Sequence, residues 1–460
     1  MLHDDRLLPA DPGVRELARE LYEHVRALPI VSPHGHVDPS SLADDRWPNE
    51  PATELVTQDH YLLRMLYSQG TPLDELGVAP LDGSAFEHDG RRIWHRLAEG
   101  YHLFRGTPSK VWLDHTLSEV FGVDVPLDAD TADKVYDHVS AALAEPAFRP
   151  RALFERFGIE VLATTDGALD PLEFHTRLRA SGWSGRVIPT FRPDGVVDPE
   201  APGFRDDLDR LAELTGEDTA SWDGYLRALR ARRQAFIELG ATASDHGHPT
   251  AATADLPPAE AEALFERVRN GLVDPNDAEQ FRAQMLVEMA AMSLEDGLVL
   301  QLHTGSWRRH NPALTARFGA DKGADIPKAM DYVGALKPLL DRFGNERGLT
   351  VVIYTLDESS YSRELAPLAG HYPALRLGPP WWFHDSPEGI RRFRQQVTET
   401  AGFANTVGFN DDARSLLSIP ARHDAARRID AGFLASLVAE HRIEEDEAAE
   451  IAADLAYHLA

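Results

Sequence analysis

Leu28-Pro29-Ile30-Val31-Ser32-Pro33-His34-Gly35-His36 is a short run of apolar and β-branched residues that closes on two histidines. Such a run fits a buried strand whose carboxyl end reaches a surface built from loops. Similar runs recur from about residue 158 onward, at 160–166, 186–192, 240–246, 297–305, 349–356, 375–381 and 406–412, with longer amphipathic stretches between them. Together with the first they make eight, in the βαβα rhythm of a parallel α/β protein, and predict a (β/α)8 barrel. The stretch 329–341 illustrates the helical spacing, with Val333, Leu336 and Leu340 on one face and Pro338 as an interruption.

One interval is anomalous. Roughly 120 residues separate the first strand from the second, far more than a βα loop needs. Helical patterns at 55–66 and 131–143 mark it as a helical subdomain inserted at the top of the barrel. The expected organisation is an N-terminal segment with the first strand over 1–37, the insertion over 38–157, the rest of the barrel over 158–430, and a C-terminal helical segment over 431–460. A further helical insertion is expected at 257–292, and 442–460 reads as a closing surface helix whose acidic start suits the positive end of a helix dipole.

Composition limits what such a barrel can do. The 460 residues are 43% hydrophobic and 26% charged, as in ordinary globular proteins, and the formal net charge is −29. A field of that sign repels phosphate backbones and anionic lipid, so neither nucleic acid nor membrane is an expected partner. A small anionic substrate would need locally placed cations. With no cysteine there is no disulfide, thiolate metal site or Cys nucleophile, which suits a reducing compartment. The N-terminal residues lack the pattern of a signal peptide, and no apolar run approaches the roughly 20 residues of a membrane span. A cytoplasmic location is therefore expected.

His34 and His36 stand two apart on a strand, so both imidazoles project to the same side, into the barrel mouth. Two converging neutral imidazoles supply two of the ligands that zinc prefers. His303 ends the fifth strand, either as a further ligand or as a buried, hydrogen-bonded core histidine. Asp412 ends the eighth, which neighbours the first in a closed barrel. It can ligate the metal, act beside it as a base, or cap a helix over 413–417, a role open to Asp411 as well. Arg192, at the end of the third strand, and Arg414 can hold a substrate carboxylate through paired hydrogen bonds, or can pair with acids of the chain. Arg308 and Arg309 are weaker candidates. Asp59-His60-Tyr61 offers a titratable ring and a phenol, or simply a capped helix start. Trp381-Trp382-Phe383, at the end of the seventh strand, can cap the core or form an apolar wall against a sugar ring. No His-Glu-x-x-His, Gly-x-Ser-x-Gly or Rossmann fingerprint occurs. The fourth strand ends in Asp245-His246 where a Lys ligand would be needed, and Tyr354-Thr355-Leu356-Asp357 ends the sixth without a His, so one metal is expected rather than two.

With these residues in place the chain resembles, over nearly its whole length, the uronate isomerase (glucuronate isomerase) family, a divergent branch of the amidohydrolase superfamily. The likeness rests on the stretch 28–36, on Asp59-His-Tyr-Leu-Leu-Arg-Met, on Ala163-Thr-Thr-Asp and on Val187-Ile-Pro-Thr-Phe-Arg-Pro-Asp. It continues in Ser244-Asp-His-Gly, Leu300-Gln-Leu-His-Thr-Gly with Arg308 and Asn311, Trp381-Trp-Phe, and Asp412-Ala-Arg-Ser. The resemblance implies a distorted (β/α)8 barrel, one divalent metal, usually zinc, and interconversion of D-glucuronate with D-fructuronate and of D-galacturonate with D-tagaturonate. It implies His34, His36 and Asp412 as metal ligands, and His303 as a further ligand or substrate contact. Arg192 and Arg414 match substrate-binding arginines, with His60 and Tyr61 facing the substrate; Trp381 and Trp382 are expected beside it, and a homo-oligomer is expected. Two departures stand out. Gly35 replaces a larger residue common in relatives, with little effect expected because that side chain points away. Asp411 replaces a common Thr, and its charge is expected to act on Asp412 or on the substrate carboxylate, altering preferred uronate and pH optimum. The chemistry expected is proton transfer through a cis-enediolate, with Asp412 as base and Tyr61 or His60 assisting at oxygen. A mononuclear metal hydrolase or lactonase and a non-catalytic uronate-binding barrel are the alternatives.

Overall fold

The computed structural model describes residues 2–47 and 50–460. Seven of the eight expected segments hold regular strands. They are β1 (Ile30–Ser32), β2 (Ile159–Ala163) with β3 (Asp166–Gly167), β4 (Arg186–Ile188) with β5 (Phe191–Arg192), β6 (Ala243–His246), β7 (Val299–Thr304), β10 (Val351–Thr355) and β11 (Leu375–Leu377); β8 (Ser306–Trp307) and β9 (Ile326–Pro327) form a small antiparallel hairpin after β7. All barrel pairings are parallel, in the orders β1-β2-β4 and β3-β5-β6-β7-β10-β11. The second and third segments each break in two around Pro189, which has no N–H to give to a ladder. Thr164 and Thr190 bridge the break, with Thr164 N donating to Ile188 O at 2.9 Å and Thr190 N to Thr164 O at 3.0 Å. The result is a distorted (β/α)8 barrel.

The eighth segment corrects the expectation of a strand over 406–412. Only a single bridge, Leu377 to Thr406, is formed there. The backbone groups that should extend the ladder are taken by the C-terminal tail: Gly408 N donates to Leu459 O at 2.8 Å and Phe409 N to Leu455 O at 3.2 Å. Closure on the first strand comes from His36 N donating to Ala413 O at 2.8 Å. The seventh strand is also shorter than expected, so Trp381 lies in the loop beyond β11.

Helices surround this barrel. The expected helix at 329–341 is instead two pieces, Tyr332–Ala335 and Lys337–Phe343, hinged at Leu336 just before Pro338; Leu336 and Leu340 are buried but Val333 is half exposed. The pattern at 55–66 splits into a π-helical turn, Thr53–Thr57, and a helix, His60–Ser68, that Asp59 caps by accepting from Tyr61 N and Leu62 N. That cap turns His60 and Tyr61 toward the barrel mouth. Helices of the 38–157 region share one apolar core with the barrel, in which Leu62, Trp94, Phe104 and Val135 pack with Ile30, Ile159, Leu162 and Leu417. Between β6 and β7 lie the helices Pro258–Arg269 and Pro275–Asp296. An N-terminal helix, Pro12–Val25, packs on Ile419–Ala439 and on the tail helix Glu445–Ala453, whose Glu444 and Glu447 form a capping box. Among the described residues no helix is long and apolar enough to cross a membrane.

Candidate active site

The carboxyl ends of the strands and the roof from the 38–157 region enclose a cavity of about 400 Å³, a size typical of small-molecule sites. Its lining includes His34, His36, His60, Tyr61, Arg192, His303, Trp381, Trp382, Asp412 and Arg414. These ten residues, singled out in the sequence, therefore meet in one place. Arg308 lines it too, whereas Arg309 does not.

At the centre, Asp412 Oδ1 lies 3.6 Å from His34 Nε2 and 3.3 Å from His36 Nε2. Asp412 occupies the left-handed region at φ 46°, a conformation that Asp tolerates better than most residues and that the flanking contacts must hold. Its backbone N–H donates to Asn410 Oδ1 at 3.2 Å, and its Oδ2 accepts from Trp381 Nε1 at 2.9 Å. Trp381 is thus a clamp on the carboxylate as well as part of the wall. His303 stacks on His34 with ring centres 4.4 Å apart and on Tyr354 at 4.2 Å. Its Nδ1 is 2.5 Å from Asp245 Oδ1, which aims Nε2 away from Asp245.

Among the described residues Asp412 Oδ1 and His303 Nε2 are buried without a hydrogen-bond partner. Buried polar atoms are seldom left so. The ligand atoms of His34, His36 and Asp412 lie within 4.8 Å of one another. Tetrahedral ligands about 2.1 Å from a small divalent cation stand roughly 3.4 Å apart, close to the two distances here. The residues present fit such a cation. His34 is held neutral, its pKa lowered to about 4 by burial and then by His303, and burial with the charge of Arg414 also lowers His36.

Charges ring this centre. Arg192 Nε is 2.8 Å from Asp194 Oδ2 and its Nη1 is 3.0 Å from Asp245 Oδ2. Burial opposes its charge, but Asp245 and Asp194 outweigh burial and raise its pKa. Asp245, fully buried, is pushed well below the usual carboxylate range because His303 and Arg192 outweigh its own desolvation. Among the described residues Arg414 has only a loose partner, Asp321, at 3.9 Å, and Arg308 reaches Asp325 at 3.5 Å. The guanidinium groups least committed to acids of the chain are therefore Arg414 and Arg308. His60 is lowered to about 3, by burial and then by Arg414. Tyr61 donates its hydroxyl to Asp385 Oδ1 at 2.5 Å and accepts from Phe383 N at 2.9 Å; Asp385 Oδ2 in turn is 2.8 Å from Arg422. Burial, then Asp385, puts Tyr61 well above the ordinary phenol range. Trp382 stands edge-on to Tyr61 and 5.8 Å from His60, stacked on Phe383.

Three expectations about this region are corrected. Neither Asp411 nor Asp412 caps a helix over 413–417; Ser415 caps the short turn Leu416–Ser418. Asp411 is fully buried, accepts from Ala413 N at 3.0 Å and meets His423 Nε2 at 2.9 Å, so its charge is directed away from the cavity. The direction left open at Gly35 is not free space, because a Cβ there would stand 3.3 Å from Ala413 O, at the point of barrel closure. Asp245, Asp385 and Arg422 were not anticipated. Strand alternation could have found Asp245, two residues past Ala243 on the inner face of β6. Nothing local marks Asp385 or Arg422.

The chain is similar to known proteins along its whole length. Residues 9–460 match the family model described as glucuronate isomerase. The uronate isomerase of Phenylobacterium zucineum is 64% identical over 100% of this chain and 95% of its own, and that of Rhizobium meliloti is 61% identical over 100% and 98%. The crystal structure of glucuronate isomerase from Caulobacter crescentus covers 100% of this chain and 96% of its own, with a TM-score of 0.98 and 58% identity. Matches of that depth, running unbroken through strands, roof and tail, settle the ancestry: the chain belongs to the glucuronate isomerase family.

Proposed function

We propose that the cavity isomerises hexuronates between aldose and ketose, D-glucuronate with D-fructuronate and D-galacturonate with D-tagaturonate, using one divalent cation, zinc, held by His34, His36 and Asp412. The observation that carries this reading is the orphaned Asp412 Oδ1 at 3.3–3.6 Å from two neutral imidazoles, facing guanidinium groups across one cavity. When bound, the cation supplies fixed positive charge where an oxyanion develops and depresses the proton affinity of the carboxylate beside it.

The chain's own residues do the rest. Arg414 and Arg308, with Arg192 behind them, hold the substrate carboxylate and so favour a uronate over its uncharged hexose. Asp412, oriented by Trp381, takes a proton from C2, exchanges it with solvent, and delivers one to C1 as the sugar passes through a cis-enediolate. Tyr61 has committed its proton to Asp385, so it meets a sugar hydroxyl as an acceptor and can assist transfer at oxygen. His60, neutral and beside Trp382, is placed to help at the same oxygens. His303, fixed by Asp245, offers Nε2 as a fourth ligand or as a substrate contact. Trp382 and Trp381 exclude water from the reacting face. A cytoplasmic homo-oligomer is part of the same reading, supported by the cysteine-free composition for the compartment and checked for assembly by light scattering.

Incubation with D-glucuronate in deuterated water tests the proposal. It predicts ketose formation with solvent hydrogen entering the product. A hydrolase or lactonase would leave the sugar unchanged, and a binding protein would bind it without exchange.

A further inference from the structure

His246-Gly247-His248 repeats, at the end of β6, the His-Gly-His spacing of residues 34–36. It does so on the other side of its strand. Asp245 faces the cavity, where it meets His303 and Arg192, so by alternation His246 and His248 face outward, toward the helical layer. Both are buried, at 1% and 4% exposure, with ring centres 5.4 Å apart. Among the described residues neither ring nitrogen of His246 has a hydrogen-bond partner, nor has His248 Nε2. An imidazole with both nitrogens buried and unpaired carries a desolvation cost that no hydrogen bond from the described residues offsets. Asp194 completes a set whose ligand atoms lie within 4.8 Å of one another.

We infer that Asp194, His246 and His248 form a second site for a divalent cation of the zinc type, separate from the cavity and outside the set of residues assigned to isomerisation. The donor set of two imidazoles and a carboxylate is what a borderline cation takes. Burial lowers His246 to about 3 and lowers His248 as well, so both rings are neutral and need shed no proton to bind. The charges around them favour a cation. Asp194, Asp198 and Glu279 act on His248, and Asp194 and Asp245 on His246, while the opposing Arg282 is already matched by Asp198, Glu200 and Glu279, and Arg233 by Asp296. Arg192 bears on Asp194 from the opposite side, through Nε at 2.8 Å, and Gly247 N donates to the same carboxylate at 3.1–3.2 Å. Gly247 allows this packing, since a Cβ there would lie 2.0 Å from Arg192 Nη2. The carboxylate of Asp194 is thereby shared between Arg192 and the second site.

The test is zinc content per chain, by mass spectrometry, of full-length protein equilibrated with zinc and separated from free metal. Wild type should hold two ions. The double variant His34→Ala/His36→Ala should keep one, and so should Asp194→Asn and His248→Gln made in the wild-type background. Asp194 is 29% exposed on its side chain, so its variant tests the site even where a buried histidine change impairs folding. Cobalt loaded into the double variant should give the visible absorption of a four-coordinate site. A double variant that binds no zinc, or a wild-type content unchanged by both Asp194→Asn and His248→Gln, overturns the proposal. Should the cavity itself hold no metal, wild type would bind one ion that Asp194→Asn removes and the double variant keeps, which separates failure of the catalytic reading from failure of this one.

Discussion

Replacing Trp381 with Phe removes one interaction and little else. The ring still fills the wall and still meets His303, whose centre lies 4.9 Å from the indole. What disappears is the 2.9 Å hydrogen bond from Nε1 to Asp412 Oδ2. A hydrogen bond to a charged group contributes about 1.5–3 kcal/mol, and each 1.36 kcal/mol in a barrier is about tenfold in rate. Because that bond holds the carboxylate in place during proton transfer, kcat should fall by about 10- to 100-fold. Partners that orient metal ligands carry a similar weight in affinity, about 10- to 100-fold, so zinc should bind the variant correspondingly more weakly. The assay is steady-state isomerisation of D-glucuronate at saturating zinc, with zinc affinity measured by competition against a chromophoric chelator. A kcat within twofold of wild type, together with unchanged zinc affinity, would show that Trp381 is only wall and that Asp412 needs no clamp.

Asp412→Asn should lower kcat far more than it changes KM, because the amide cannot carry the proton; equal and mild changes in both would contradict the role. Arg414→Ala and Arg192→Ala should chiefly raise KM for uronates, the former without loss of fold stability, measured by kinetics beside thermal melts. Asp385→Ala should destabilise the fold by about 3–5 kcal/mol, since it leaves the buried Arg422 charge uncompensated, whereas Tyr61→Phe should lower turnover with a smaller loss of stability. Asp424 sets an acid-side prediction. Burial opposes its charge, but His115, Arg6 and Arg428 hold its carboxyl below the ordinary value. A depressed folded pKa adds stability above the unfolded value of 3.8, and that stability is lost as pH falls through the folded value. The melting-temperature gap between wild type and Asp424→Asn should therefore be widest near neutrality and narrow below about pH 4.

Much of this was legible in the chain. Strand ends were visible because apolar runs stop at residues such as His34, Arg192 and His303, whose burial is costly unless partners or a site at the strand ends offset it. Asp412 could be placed beside His34 because barrel closure makes the last segment a neighbour of the first. Three things were not legible. The last segment forms no regular strand because the tail captures Gly408 and Phe409, a contact between residues about 50 positions apart that no local pattern encodes. Tyr61 donates to Asp385, which Arg422 in turn holds, and both are hidden in ordinary polar sequence. The turning of Asp411 toward His423 depends on a helix that begins only at Ile419. In each case local pattern is silent because the deciding partner arrives through tertiary packing.

The central claim is that one cation, gripped by His34, His36 and Asp412, makes uronate isomerisation possible in this cavity. Turnover of D-glucuronate by protein stripped with a chelator, verified as metal-free and then reconstituted, tests it most directly. The account predicts that turnover disappears on stripping and returns with added zinc in the wild type but not in His34→Ala/His36→Ala. Undiminished turnover by the metal-free protein would contradict it.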